Sequence, residues 1–215
     1  MPKAFSEQER ELIRQRLLEH GYQLFSAYGL RKTNVEEIAR AAGISKGAFY
    51  GFYESKEGLF MDVIEQTEIR LRKEILDMIS RPGPSPRARL FAILRRAFEL
   101  FDEMPILQFF TGSDFDLLFR RIPPQTWREH LADDVGFIVE LIARCREAGI
   151  PIQVRPETLV GLLYPLALSV LSGDAMDFPI NLDALLELVA ACCLGEIELQ
   201  YANTPQLDLK EMVTK

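Results

Sequence analysis

A short run that begins at Ser45 carries side chains whose types and spacing could do chemistry on a partner molecule. Ser45 has the position of a helix N-cap. The face that the following helix would expose carries Lys46, Gly47, Ala48 and Tyr50. Small, basic and aromatic groups on one helical face can enter the major groove of duplex DNA, where they bind base edges and phosphates. The pattern therefore predicts a short helix that contacts DNA.

This helix needs a second helix and a tight turn to hold it in place. A short apolar helix is predicted from about 34 to 42, and Gly43 supplies the left-handed backbone that ends it. Thr33 and Glu36 have the spacing of a capping box, so the Thr33 hydroxyl is expected to accept a hydrogen bond from the Glu36 amide. Two helices joined by a glycine turn predict a helix-turn-helix.

The run IARAAGISKGAFYGFYESKEGLF, residues 38–60, resembles the DNA-binding signature of the TetR family of bacterial transcriptional regulators. The resemblance extends over about the first 60 residues. It combines a turn glycine, Ser-Lys-Gly at the start of the second helix, an aromatic pair, and Ser-Lys-Glu at the start of the next helix. Tyr53 stands where the family usually has Phe, and Phe52 stands where His or another polar residue is common, which removes one phosphate or base contact.

The resemblance implies a two-domain, all-α protein. Residues 1–54 are expected to form a three-helix helix-turn-helix domain, and residues 55–215 an effector-binding and dimerisation domain. The implied function is that of a ligand-responsive regulator, a repressor that binds a palindromic double-stranded DNA operator as a homodimer. The expected DNA-binding residues are Arg31, Thr33, Asn34, Ser45, Lys46, Gly47, Ala48, Tyr50 and Lys56. A helical hairpin with no nucleic-acid role is the alternative for the motif, and solvated loop charges are the alternative for Arg31.

The net charge of −7 argues at first against DNA binding, but its distribution weakens the objection. Residues 1–60 contain nine Lys and Arg and eight Asp and Glu, and residues 61–215 contain 16 and 24. The acidic excess therefore lies outside the predicted DNA-binding segment, where it favours solubility. Binding must depend on where individual cations point rather than on bulk charge.

Apolar periodicity and capping signals predict about nine helices and no sheet. The expected helices run from Ser6 to about Tyr28, 34–42, from Lys46, Lys56 to about Ile79, Pro86 to Glu103, from Ser113, Pro124 to about Ala148, Glu157 to Ser172, and from Asn181 to about Tyr201. Ser6 with Glu9 has capping-box spacing, and Ser55 can cap the helix that starts at Lys56.

The last two long helices are apolar on more than one face, so each must pack against other elements on several sides. One face can pack on the rest of the domain and the other on the same helices of a second subunit, as the resemblance also implies. The expected interface residues are Leu163, Ala167, Leu186, Val189 and Cys193. Two fully buried helices in a monomer are the alternative explanation.

Aromatic residues are dense between 91 and 137, as in many small-molecule sites. With a few polar groups they predict a pocket for a small apolar or aromatic effector that releases the protein from DNA, as the resemblance implies. The expected effector-binding residues are Phe98, Phe101, Gln108, Phe115, Trp127, His130 and Tyr164. An ordinary aromatic core is the alternative for each aromatic residue.

This sequence lacks the motifs that mark other classes of protein. The sequence has no GxSxG, HExxH, phosphate loop or CxxC, so we expect no catalytic residues, no metal site and no cofactor. Three cysteines without a secretory signal pattern indicate a reducing cytoplasm. The longest apolar run, Leu159 to Leu171, is too short to span a membrane. A helical interaction module without DNA binding is the remaining rival to a regulator.

Overall fold

The computed structural model describes residues 5–110, 118, 120–171 and 181–197. Within these ranges the chain forms eight α-helices and one 3-10 helix, and no strand. The α-helices are α1 (Glu7–Lys32), α2 (Val35–Ala41), α3 (Lys46–Phe49), α4 (Lys56–Ile79), α5 (Pro86–Glu103), α6 (Pro124–Glu147), α7 (Pro156–Leu171) and α8 (Leu182–Cys193), and the 3-10 helix is Pro105–Phe110. The predicted all-α fold is confirmed.

Helix α1 begins at a capping box and is interrupted once near its C-terminal end. The Ser6 hydroxyl accepts a hydrogen bond from the Glu9 amide, and the Glu9 carboxylate accepts one from the Ser6 amide at 2.8 Å. This confirms the predicted N-terminus. Gly29 has a φ of 78°, a left-handed conformation that glycine adopts without strain, and one more helical turn follows to Lys32. The predicted end near Tyr28 is therefore a break within the helix.

The predicted capping box of Thr33 and Glu36 is wrong. The N-cap of α2 is Asn34, whose Oδ1 accepts a hydrogen bond from the Glu37 amide at 2.9 Å. Thr33 is buried, and its hydroxyl donates to Gly29 O at 2.7 Å. A buried hydroxyl requires a partner, and the carbonyl groups at the end of α1 provide it.

Helices α1, α2 and α3 form a small bundle with an apolar centre. α1 packs against α2, and α2 packs against α3. Ile38, Ala39 and Phe49 are buried where the two short helices meet, and Gly43 turns the chain between them with a φ of 77°. The predicted helix-turn-helix is therefore present, with the turn at the predicted glycine.

The remaining helices follow the predicted bounds closely, with one exception. α4 and α5 begin and end where predicted, and α6 and α7 agree to within a residue. The predicted end of α8 near Tyr201 is wrong: the helix ends at Cys193, because Leu194 caps it and Gly195 takes a left-handed φ of 71°. The helix predicted from Ser113 lies outside the described residues.

The described residues divide into two compact units. The first lies within Met1–Glu68 and Met104–Ile122, and the second within Ile69–Glu103 and Pro123–Lys215. In the first unit α1 also packs against the 3-10 helix. In the second unit α5 and α7 pack against α8, and α6 packs against α7. The functional boundary expected between residues 54 and 55 stays a prediction.

Across the described ranges, no helix is both long enough and apolar enough to cross a membrane.

Candidate nucleic-acid interface

Helix α3 presents its N-terminal half and its C-cap to solvent. Ser45 Oγ accepts a hydrogen bond from the Ala48 amide at 3.1 Å, so the predicted N-cap is confirmed. Lys46 and Gly47 are exposed, and Ala48 is half-buried. Tyr50 has 51% of its surface exposed although it follows the buried Phe49 directly. The predicted recognition face is therefore accessible to solvent. Because Gly47 and Ala48 are small, they do not obstruct it.

Buried aromatic rings hold this short helix in place from behind. Four residues of helix cannot be stable alone, since helix nucleation is unfavourable. Phe49 is fully buried, and its ring centroid lies 5.5 Å from that of Tyr50 and 5.9 Å from that of Tyr53. The exposed Tyr50 ring thus packs edge-on against a fixed buried ring, which restricts its orientation.

The hydroxyl that distinguishes Tyr53 from phenylalanine forms a hydrogen bond within the fold. Tyr53 is buried, and its hydroxyl donates to Asp62 Oδ2 at 2.9 Å. Burial first, and the Asp62 carboxylate second, raise the pKa of Tyr53 well above its usual value. Arg14 lies over the Tyr53 ring with its Cζ 5.9 Å from the centroid. The departure from the family pattern at this position therefore joins the end of the helix-turn-helix to α4 and α1.

The other predicted DNA-binding residues at the helix ends next to α3 differ in their exposure to solvent. Arg31 and Asn34 are exposed, and the Asn34 side chain is used as the α2 cap. Thr33 is only 1% exposed, so the structure does not bring its side chain to the exposed face. Its burial could not be read from the sequence, because a threonine between two helices is equally suited to capping or to packing.

Lys56 lies at the start of α4 and bonds to the C-terminal end of α1. Its Nζ donates to Leu30 O at 2.6 Å, to Thr33 O at 2.7 Å and to Arg31 O at 3.3 Å. These bonds use the three donors of the ammonium group and satisfy carbonyl groups that a helix end leaves without partners. In this arrangement Lys56 positions the helices, and its contact with DNA stays a prediction.

Arg10 is a residue of this region that sequence reasoning missed. Its guanidinium lies over the Phe52 ring, with Cζ 4.8 Å from the centroid, and its Nη2 donates to Gly51 O at 3.1 Å. The Phe5 ring centroid is 6.2 Å from that of Phe52. Phe52, an aromatic residue where a polar one is usual, is the only sequence signal that could have pointed to such a partner.

Comparison with known proteins agrees with this geometry. The sequence profile of the family described as bacterial regulatory proteins, tetR family, matches residues 17–63, which contain α2, α3 and the start of α4. Residues 17–63 thus carry the DNA-binding signature of the TetR family. The chain is 32% identical over 94 residues to the HTH-type transcriptional regulator AcrR of Shigella flexneri, and the match covers 44% of each chain. The chain thus spans less than half the length of the curated relatives that it matches.

Solved structures share the fold along most of the chain. FadR of Bacillus halodurans, a fatty acid degradation regulator, superposes with a TM-score of 0.59 at 17% identity, covering 92% of this chain and 100% of that one. FadR of Thermus thermophilus, a TetR-family repressor in complex with lauroyl-CoA, gives 0.56 at 23% identity, covering 89% and 98%. At these identities the likeness shows the fold.

The predicted effector-binding residues differ in burial. Phe98, Trp127 and His130 are buried, and Phe101 is half-buried. Tyr164 is 51% exposed. Phe115 and the side chain of Gln108 lie outside the described residues, so the full effector-binding set stays a prediction.

Helix α6 places two of these residues side by side. The Trp127 and His130 rings meet edge-to-face with centroids 5.9 Å apart, and His130 Nε2 lies 3.9 Å from Asp134 Oδ2. Arg72 also bonds Asp134, at 2.5 Å. Burial raises the pKa of the Asp134 carboxyl, and the charges of His130 and Arg72 oppose that shift. The cluster is a polar group beside buried aromatic residues, as the effector prediction requires, but an ordinary core also explains it.

The predicted dimer residues lie mostly on the inner face of the second unit. Leu186, Val189 and Cys193 are buried within the chain itself, and Leu163 and Ala167 are half-buried. Among the side chains that the structure describes on α7 and α8, the exposed large apolar ones are Tyr164, Leu185 and Leu188. Neighbouring residues of a helix differ by about 100° in direction, so Leu186 lies on the buried side of α8 and Leu185 on its exposed side. The residues of the dimer interface stay a prediction.

Proposed function

We propose that this TetR-family protein is a DNA-binding transcriptional regulator, not an enzyme, that acts in the cytoplasm as a homodimeric repressor. The observation that carries the proposal is the exposed face of α3, with Lys46, Gly47 and Tyr50 accessible while Phe49 anchors the helix from within. Helices of this kind insert their N-terminal residues into the major groove. A dimer presents two such helices, which suit a palindromic operator with half-sites about 34 Å apart.

The test is binding to labelled DNA that flanks the protein's own gene, with random DNA of equal length as the reference. Lys46→Ala and Tyr50→Ala are expected to weaken operator binding more than binding to random DNA, since they alter the helix that meets the bases. Lys73→Ala is the matched control, because Lys73 is exposed on α4 in the second unit and carries the same charge. Absence of operator binding by the unaltered protein would refute the proposal.

The second part of the proposal is release of DNA by a small apolar or aromatic effector bound in the C-terminal part. Buried Phe98 and Trp127, with His130 beside Trp127, support a site of this chemistry. A ligand that binds the DNA-free conformation better shifts the protein away from DNA, and a coupling of about 1–3 kcal/mol is typical.

Lauroyl-CoA is the first probe to use, because the Thermus thermophilus FadR structure contains it. We expect it to raise the melting temperature of the free protein and to lower its affinity for the operator, with free coenzyme A as the control. Trp127→Leu should reduce both effects. If lauroyl-CoA changes neither quantity while smaller aromatic compounds do, the effector is of the aromatic kind.

A further inference from the structure

The side chain of Phe52 is covered by a cation that comes from a distant part of the chain. Arg10 lies 41 residues before Gly51, yet its Nη2 donates to the Gly51 carbonyl at 3.1 Å. Its guanidinium carbon lies 4.8 Å above the Phe52 ring, a distance typical of a cation–π contact. Gly51 directly follows Tyr50, the C-cap of α3. The Gly51 carbonyl and the Phe52 ring therefore both hold the Arg10 guanidinium at the end of α3.

The arrangement leaves most of the guanidinium available to another partner. A guanidinium has five N–H donors. Within the described residues the Arg10 side chain makes one hydrogen bond, to Gly51 O, and no ion pair. The residue is exposed. An exposed cation with one donor engaged and its plane fixed against an aromatic ring retains donors along its outer edge.

We propose that Arg10 binds a backbone phosphate of duplex DNA beside the end of α3. Phe52 cannot donate a hydrogen bond to a phosphate. A donor beside the end of α3 must therefore come from another helix, and Arg10 of α1 provides it. The guanidinium fork matches two phosphate oxygens, and the Phe52 ring and the Gly51 carbonyl hold it in position before DNA arrives, which reduces the entropic cost of binding. The inference rests on the proposed function.

Phosphate binding has a signature that a packing role lacks. Each phosphate that a cation neutralises releases counterions from DNA, so removing one such cation changes the slope of log affinity against log salt by about 0.9. A phosphate carries no sequence information, so the substitution should weaken binding to operator and to random DNA by the same factor. These two readouts separate a phosphate ligand from a residue that only supports α3.

The experiment measures binding of labelled operator and random duplexes by fluorescence anisotropy over a series of KCl concentrations. Arg10→Gln is expected to flatten the salt dependence by about 0.9 for each phosphate that Arg10 neutralises and to weaken both duplexes equally. Arg10→Lys keeps the charge and should retain most of the slope. Lys73→Gln, an exposed residue of α4 with the same change of charge, is the matched control and should leave the slope unchanged.

Circular dichroism and thermal melting of each variant establish that α1 and the bundle remain folded. If Arg10→Gln lowers the melting temperature and leaves the salt slope unchanged, Arg10 only supports the end of α3 and the proposal is overturned. Selective weakening of operator binding, with random DNA unaffected, would also overturn it. Failure of the unaltered protein to bind any duplex would refute the proposed function itself, which is a different result.

Discussion

At the scale of single residues, the helix-turn-helix depends on side chains that satisfy carbonyl groups at the ends of its helices. Lys56 bonds to three carbonyl oxygens at and just after the end of α1, and Arg10 bonds to the carbonyl of Gly51 after α3. Helix ends leave such groups without internal partners, and unpaired buried carbonyls are costly. A long cation from a neighbouring helix satisfies them and joins two elements at once.

Lys56→Met should therefore destabilise the protein. It leaves the half-buried carbonyl groups of Leu30 and Thr33 without the ammonium donor, which costs about 1–3 kcal/mol. The free energy of unfolding from urea titration measures the effect, and Lys73→Met on the exposed face of α4 is the control. If Lys56→Met leaves stability unchanged but flattens the salt dependence of DNA binding, Lys56 acts as a phosphate ligand, as expected from the sequence.

Tyr53→Phe should change how stability depends on pH. The pKa of Tyr53 is raised in the folded protein, so the folded state keeps the proton while the unfolded state loses it near the ordinary tyrosine value of 10.0. The stabilising contribution of Tyr53 is thus complete below pH 10 and declines above it. Below pH 10 we expect Tyr53→Phe to cost about 1 kcal/mol, because the hydrogen bond to Asp62 is removed.

Above pH 10 the unaltered protein should lose stability more steeply than Tyr53→Phe, because only the former contains this titrating group. Urea titrations at pH 7, 9 and 10.5 compare the two proteins, and the difference removes contributions from other tyrosines and lysines. A constant difference across this range would contradict the role of the Tyr53 proton.

At the scale of elements, the turn between α2 and α3 sets the direction of α3, the proposed recognition helix. Gly43 has a φ of 77°, and the Ile44 amide donates to Ala39 O at 2.9 Å across the turn. The nearest atom to an added Cβ at Gly43 is Arg16 Nη1 at 3.9 Å, so space is not the constraint. The backbone conformation alone requires glycine there.

Gly43→Ala is expected to destabilise the protein by about 1–2 kcal/mol, the cost of placing an L-residue in the left-handed region. Gly47→Ala is the comparison, since Gly47 lies within α3 without a positive φ and alanine should favour the helix. Thermal melting of both variants tests this. Equal effects of the two substitutions would show that the Gly43 turn relaxes to another conformation.

At the scale of the whole molecule, the proposed regulator requires two copies of the chain. Large apolar side chains that the second unit leaves exposed on the described parts of α7 and α8 include Tyr164, Leu185 and Leu188. Burying such side chains against a second copy contributes about 1.5–3 kcal/mol for each large residue that is fully covered. We therefore propose that the dimer forms through this outer face.

Leu188→Glu should separate the dimer into folded monomers, because a carboxylate on the outer face of α8 would lose its hydration at the interface. Leu186→Ala, at a fully buried position two residues earlier on the same helix, should instead lower the free energy of unfolding by about 2–5 kcal/mol. Light scattering and urea titration distinguish the two outcomes. A monomeric unaltered protein would end the proposal of a dimer.

The sequence by itself determined the features that depend on residues three or four positions apart. The caps at Ser6, Ser45, Ser55 and Asn181, the turn at Gly43 and the all-α fold all follow from it, because a cap or a turn is a local hydrogen bond that residue types specify. The exposure of Lys46, Gly47 and Tyr50 on α3 follows from the same local pattern, and their contact with DNA stays a prediction.

Only the tertiary structure decided which side chains each helix end receives and which face of a helix stays exposed. Lys56 bonds to the end of α1, and Arg10 lies over Phe52, so these contacts join residues that are far apart in sequence. Thr33 is buried, although its residue type could equally have capped a helix. The exposed side of α8 is likewise fixed by packing against α5 and α7. Such contacts depend on how helices dock, and residue spacing within a single helix carries no information about its neighbours.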